Sequence, residues 1–455
     1  MKYKLSKYVV ITDFIDDVLE NQLVYSTRSG NVIILNKSTI ELLKSATLNT
    51  IDFELLDKLI TSQIIVPEFE NEFETIIDEF EISKSDNNVL NMVITPSANC
   101  QLGCNYCGQI HNKTNISEDL SDKIYKHISN KLTLNNYSLL DITWYGAEPL
   151  MGIKSIKKLS DKFIALSITE KINYSSSMIT NGLNLNQKNF NDLVLQMKVT
   201  DFQITIDGIK ETHDNSRYTK KGKPTFDIIL GNIINCVNNP IYEKEKVNIT
   251  IRVNVHKNNY NDVEKLLELL YNLKIHNKVQ MSFAPVHDWG NNSADKEVGL
   301  TLEEFSNLEI DWFLKMNELN FKKQNLIPGR IYGTCMTTSN DAELIDAKGE
   351  VSYCWEVPYT PDFESNKDLI IGNVSTDENL YKKDTSKHPL RDWYNDIRDK
   401  KNNSSNCHSC EFLPVCGGQC PIAWFKDVKA CPSFKVNMED KLILQYLNEN
   451  DFLTK

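Results

Sequence analysis

The chain has 455 residues, 41% of them apolar, and a formal net charge of −12. Its length exceeds the usual single-domain range and calls for two or three domains; its acidic balance argues against a nucleic-acid partner, whose phosphates want a basic surface. It lacks an apolar run of membrane-spanning length and an export segment in Met1-Lys2-Tyr3-Lys4-Leu5-Ser6-Lys7, so a cytoplasmic protein without a membrane partner is expected, its eleven cysteines serving metal ligation rather than disulfides.

Residues 1–84 read as a small module of their own. Leu23–Thr27 and Val32–Leu35 flank Arg28-Ser29-Gly30-Asn31, a hairpin signature. Ser38 with Glu41 predicts a capping box opening a helix through Leu42 and Leu43. A second helix is predicted near Phe53–Ile60, and Phe69, Phe73, Ile76, Ile77 and Phe80 mark one face of a third. Strands followed by three short helices suit a winged-helix-like recognition module, with a simple cap on the next domain as the alternative. The polar run Lys84–Asn88 is the expected linker.

From Val89 to about Pro285, strand-like and helix-like stretches alternate, as in a parallel βα barrel. Strands are predicted at Leu90–Thr95, Asp141–Tyr145, Ser176–Thr180, Phe202–Ile206, Val247–Val255 and Val279–Pro285, with amphipathic segments between them such as Leu120, Ile124 and Ile128 or Leu266–Leu273. Directly after the first strand, Cys100, Cys104 and Cys107 fall in a C-x3-C-x2-C spacing, Tyr106 preceding the last. A short loop that turns three thiolates toward one point suits an iron–sulfur cluster with one iron left open; zinc with a missing fourth ligand is the rival. The second strand ends Gly146-Ala147-Glu148-Pro149, the third Thr180-Asn181-Gly182, and the fourth Thr205-Ile206-Asp207-Gly208, followed by Asp214 and Arg217. Arg217 is either a surface partner of Asp214 or a bidentate grip on a carboxylate. Cys236 sits at an apolar helix position and is assigned packing alone.

A linking helix is predicted from Thr301 and Glu304, with Phe305, Leu308 and Trp312 on one face. Beyond it come Cys335, then Gly349 and Cys354, then Cys407, Cys410, Cys416 and Cys420 as C-x2-C-x5-C-x3-C, and Cys431.

Together these motifs resemble the radical S-adenosylmethionine (SAM) family with a C-terminal SPASM extension, of the peptide-maturase type. The resemblance implies an α/β fold: a partial (β/α)6 TIM-like barrel over 89–300, an N-terminal winged-helix-like module over 1–84 that recognises a leader peptide, and a linking helix with an iron–sulfur SPASM domain over 301–455. It implies three [4Fe–4S] clusters. Cys100, Cys104 and Cys107 hold the one that cleaves SAM to a deoxyadenosyl radical. Cys407, Cys410, Cys416 and Cys431 ligate the distal auxiliary cluster. Cys335, Cys354 and Cys420 hold the nearer one, which lacks a fourth cysteine. SAM is expected against Tyr106, the Gly146-Ala147-Glu148-Pro149 turn (Ala147 where the family has glycine), Thr180, Asn181, Thr205, Asp207, Arg217 and Asn254, with Ala284-Pro285 a softer match. Sulfatase maturases carry an aspartate base immediately after the second auxiliary-cluster cysteine. Here Trp355 stands there and Glu356 follows, so Glu356 is the candidate base. The expected activity is modification of a ribosomally made precursor peptide by hydrogen abstraction and crosslinking (thioether, C–C or C–O), with a flavodoxin- or ferredoxin-type reductant. Formylglycine formation is the alternative.

Overall fold

The computed structural model describes residues 2–16, 19–85, 88–287, 298–364, 369–386, 388, 390–399, 406–426 and 428–450. In the N-terminal module β1 (Tyr3–Leu5) is followed by β2 (Val9–Asp16), β3 (Asn21–Ser26) and β4 (Val32–Asn36), which form an antiparallel sheet in that order. The hairpin lies where the turn residues put it, with Tyr25 opposite Val32. β5 (Ile65–Pro67) pairs back on β1.

Three helices complete the module, at Lys37–Lys44, Phe53–Thr61 and Glu72–Ser83. The first is capped by Asn36, whose side chain accepts from the Thr39 amide at 2.9 Å, rather than by the predicted Ser38–Glu41 box. Asparagine caps as well as serine does, and the extended end of β4 places it first. Phe69 departs from the predicted face: it precedes the third helix and is 79% exposed, while Phe73, Ile76, Ile77 and Phe80 are buried. Asp86 and Asn87 of the expected linker lie outside the described residues.

All six predicted barrel strands form, as β6 (Val89–Ile94), β7 (Leu139–Trp144), β8 (Asn173–Thr180), β9 (Val199–Thr205), β10 (Asn248–Val255) and β11 (Gln280–Pro285), each parallel to its neighbour. The cause is visible in β10: Ile249, Ile251, Val253 and Val255 are fully buried, while Thr250, Arg252 and Asn254 occupy the opposite face. Helices such as Glu118–Leu132 and Val263–Asn272 cover the outside with the predicted leucines and isoleucines. Cys236 is buried in the helix Phe226–Val237.

The sheet does not end at β6. Strand β12 (Glu343–Ile345) adds parallel to β6, and β13 (Glu350–Ser352) and β14 (Ile370–Asn373) extend it, giving nine strands in the order β11-β10-β9-β8-β7-β6-β12-β13-β14. Glu343 fastens this extension: its buried carboxylate meets His127 and Lys131 of the barrel helix Glu118–Leu132, each at 2.7 Å. The linking helix Leu302–Glu318 carries the predicted Thr301–Glu304 capping box and buries Phe305 and Trp312. It packs beside the last helix, Phe434–Glu449.

The N-terminal module shares its apolar contacts with the C-terminal region. Tyr8, Phe73, Ile76, Ile77 and Phe80 pack with Trp393, Tyr394, Ile397, Leu413 and Trp424, and Leu23 and Tyr25 pack with Phe412, Val415, Met438 and Leu442. Among the described residues no helix is long and apolar enough to cross a membrane.

Candidate active site

The loop that leaves β6 is fixed from two sides. Ala98 and Asn112 exchange hydrogen bonds with Thr114 and Ala98 within the loop, and the Gly103 and Lys220 amides tie it to the segment following Arg217, by bonds to the Tyr218 and Gln101 carbonyls. This brings Cys100, Cys104 and Cys107 to the C-terminal ends of the parallel strands, where the active sites of such barrels are built. The three thiols line a cavity of about 660 Å³, counting its open mouth, together with Tyr106, Gly146, Ala147, Thr180, Asn181, Thr205 and Arg217. Ten of the predicted site residues therefore share one wall system. Glu148, Pro149, Asp207 and Asn254 stand behind it.

Those supporting residues explain its shape. Gly146 has φ +83°, and a Cβ there would strike the Thr95 side chain at 2.5 Å. Ala147 follows at φ +45°, a left-handed conformation that costs any residue but glycine. Glu148 is completely buried and gathers three donors: the Leu150 amide (3.0 Å), the Thr180 hydroxyl (2.7 Å) and the Asn181 amide (2.8 Å). Burial raises its pKa, and those donors oppose the rise. Its carboxylate thus splices the end of β7 to the end of β8.

A second network lies across the cavity. The Tyr106 hydroxyl donates to Asp207 and accepts from Arg217 (2.6 Å) and Asn254 Nδ2 (3.2 Å). Asp207 Oδ1 also accepts from the Asn254 amide at 2.9 Å. Asp214 is not the partner of Arg217; it caps the helix Phe226–Val237, accepting from the Thr225 and Phe226 amides. Arg217 lies 3.9 Å from Asp207. Burial works against its charge, but Cys104, Tyr106 and Asp207 outweigh it and hold the guanidinium firmly protonated. Its Nε is buried without a partner, so a donor is left beside the cavity.

Burial pushes the Cys100 thiol up to about 12 and Cys104 to about 11. Thiols so placed want a metal, which removes the proton outright. All eleven cysteines are free, and among the described residues no three His, Cys, Asp or Glu side chains converge on a single-ion site. The donor set, the roomy cavity and the orphaned Arg217 Nε fit a cluster with a polar organic cofactor beside it.

The remaining cysteines fall into two groups. Cys407, Cys410, Cys416 and Cys431 line one chamber with Phe412, Leu413, Trp424 and Lys435. Gly418, at φ +83°, closes it; a Cβ there would meet Trp393 at 2.7 Å. Cys335, Cys354 and Cys420 lie within one another's electrostatic reach. Glu356 belongs to both neighbourhoods: its charge is felt at Cys107 and Tyr145 on the barrel side and at Cys354 and Cys420 on the other. Burial raises its carboxyl to about 7, against the pull of Arg252 and Lys426.

Sequence reasoning missed several wall residues. Gln109 accepts from the Ala147 amide (3.1 Å) and donates to the Pro358 carbonyl (3.3 Å), bridging the barrel to the segment after Cys354. His111 reaches Cys107 at 4.0 Å, and Tyr145 packs on Trp355 with ring centroids 4.8 Å apart. Only their closeness to the motifs could have marked them. Arg252, on the inner face of β10, carried no sequence signal.

Comparison with known proteins agrees with this geometry. Residues 94–270 match the model of the radical SAM superfamily. A cysteine-type anaerobic sulfatase-maturating enzyme of Clostridium novyi (strain NT) is 26% identical over 359 residues, 73% of this chain and 87% of that protein. The solved structure of anSMEcpe with bound AdoMet covers 80% of this chain and 99% of its own, with a TM-score of 0.56 and 16% identity. The same protein with AdoMet and the Kp18Cys peptide gives 0.55 and 17% over the same shares. At such identities the structural likenesses speak for the fold. Residues 94–270 form a radical SAM domain, and the protein that carries it is an enzyme.

Proposed function

We propose that the protein is a maturase of a ribosomally synthesised precursor peptide, in which hydrogen abstraction starts an intramolecular crosslink. The observation that carries this reading is the N-terminal module. Among the described residues its three-stranded sheet ends at β4 with no further strand beside it, Val32 and Ile34 are 38% and 46% exposed along that edge, and the module packs against the cysteine-rich region. An unpaired edge can accept an extended leader as an added strand.

In this reading Cys100, Cys104 and Cys107 hold a [4Fe–4S] cluster, and Gly146, Ala147, Thr180, Asn181, Thr205 and Arg217 line the SAM site. When bound, these two groups supply a radical able to take hydrogen from a C–H bond. Arg217, kept charged by Asp207 and Tyr106, grips the SAM carboxylate, and Glu148 fixes the strand ends against which the cofactor lies. Cys407, Cys410, Cys416 and Cys431 hold a second cluster, and Cys335, Cys354 and Cys420 a third with an open iron. Bound there, such clusters would supply a place for the surplus electron and a route to a flavodoxin- or ferredoxin-type protein. Glu356, between the barrel mouth and Cys354, takes the proton released as the product forms.

Formylglycine formation is the second reading. It is favoured by the sulfatase-maturating relative from Clostridium novyi, whereas Trp355 stands where such maturases carry aspartate. Anaerobically reconstituted protein should contain about twelve irons per chain and release deoxyadenosine from SAM under reduction. Offered a precursor peptide encoded beside its gene and a sulfatase-motif peptide, it should remove two hydrogens from the former. Carbonyl formation on the latter alone would replace the first reading with the second.

A further inference from the structure

The chamber formed by Cys407, Cys410, Cys416 and Cys431 is walled by Phe412, Leu413, Trp424, Ala430 and Pro432, and Lys435 is the one charged side chain among its lining residues. The Lys435 ammonium lies 3.8 Å from Cys431 Sγ, and among the described residues no carboxylate is within ion-pair reach of it. The placement follows from the chain: Cys431 precedes the helix Phe434–Glu449, and Lys435 stands in its first turn, one turn beyond the cysteine. Glu411, on the loop beside Cys410, is an opposing charge felt at both Cys410 and Lys435; neither it nor His408 lines the chamber.

A cluster gains one negative charge when it accepts an electron. A fixed cation beside its sulfurs, within an apolar wall, favours the reduced form. We propose that Lys435 sets the reduction potential of the cluster held by Cys407, Cys410, Cys416 and Cys431, making it easier to reduce than its four thiolates alone would. This rests on the reading of those cysteines as cluster ligands. Lys435 touches no substrate; it is a positioning residue that acts through the cluster.

The test is an EPR-monitored redox titration of the full-length reconstituted protein, wild type against Lys435→Gln and Lys435→Arg, with iron counted in each. At the wild-type midpoint, Lys435→Gln should lower the reduced-to-oxidised ratio of one cluster at least about tenfold, about 59 mV for a one-electron couple. Lys435→Arg should stay within about twofold of wild type, and the other clusters should not move. Unchanged potentials with full iron, or an equal shift of all clusters, would overturn the proposal. Should Lys435→Gln fail to load, Glu411→Gln takes its place: removing the opposing anion should shift the same cluster upward, and no shift overturns it. Wild-type protein with only about four irons and no auxiliary signal would sink the cluster reading itself, an outcome distinct from a loaded cluster indifferent to Lys435.

Discussion

Two cysteine-lined spaces in this molecule are built by opposite means. The three-cysteine cavity sits on the ends of a parallel sheet, and its walls are polar: Glu148 accepts three hydrogen bonds, and Asp207, Tyr106, Arg217 and Asn254 form one continuous network. The four-cysteine chamber is assembled from short turns and mostly apolar side chains, with Gln419 and one lysine. Part of its surroundings comes from the far end of the chain: Cys407 and Cys431 pack with the cluster containing Tyr8 and Phe73, and Cys410 and Cys416 with the one containing Leu23 and Tyr25. In the proposed reading the first space orients a zwitterionic cofactor, which needs many fixed hydrogen-bonding groups, and the second stores an electron, which needs exclusion of water and a tuned charge.

The sharpest way to separate the two is to empty one. Replacing Cys100, Cys104 and Cys107 with alanine should abolish deoxyadenosine release while leaving about eight of about twelve irons, read by iron assay and product chromatography. Loss of all iron would show that the two sites do not assemble independently. Next in size is Arg217→Lys. A lysine cannot reproduce the fork that meets Tyr106 and a carboxylate together, so SAM affinity should fall by about 2 kcal/mol or more, measured by equilibrium binding. The auxiliary iron should be untouched.

Phe73→Ala tests the other side. Phe73 packs on His408 with ring centroids 4.1 Å apart and closes the apolar contact beside Cys407. Its loss should cost about 3 kcal/mol and lower iron by about four per chain, with SAM binding retained. A variant that kept all its iron would mean that the N-terminal module merely rests against the chamber.

The smallest effect concerns the joint between the regions. Glu343 is buried and its pKa is held down to about 2: burial opposes this, but Lys131 and His127 outweigh it. A carboxyl with a depressed folded-state pKa adds stability that is present above its unfolded value and lost as pH falls through the folded value. The wild-type advantage over Glu343→Gln in chemical denaturation should therefore be full at neutral pH and shrink between about pH 4.5 and about 2. A constant difference across that range would remove the ion pair from the joint.

Much of this was legible in the chain. The six barrel strands were readable because alternating apolar residues bounded by turn signals have one stable placement, and the cysteines because their spacing is local. Asn36 as helix cap was not, since Ser38 offered an equally good local pattern and only the end of β4 chose between them; nor was Phe69 as an exposed residue, since it continues the apolar series yet lies before the start of the third helix. Arg217 could be paired with Asp214 in sequence; the turn that makes Asp214 a helix cap decided for Asp207.

By itself, then, the sequence determined the elements and the local motifs, because periodicity and cysteine spacing act over a few residues. Tertiary structure alone decided that β12 extends the barrel sheet from β6 and that residues from the first eighty pack beside the last cysteines. Those contacts join residues hundreds of positions apart, where burial of apolar surface and pairing of buried charge choose among arrangements that no local pattern ranks.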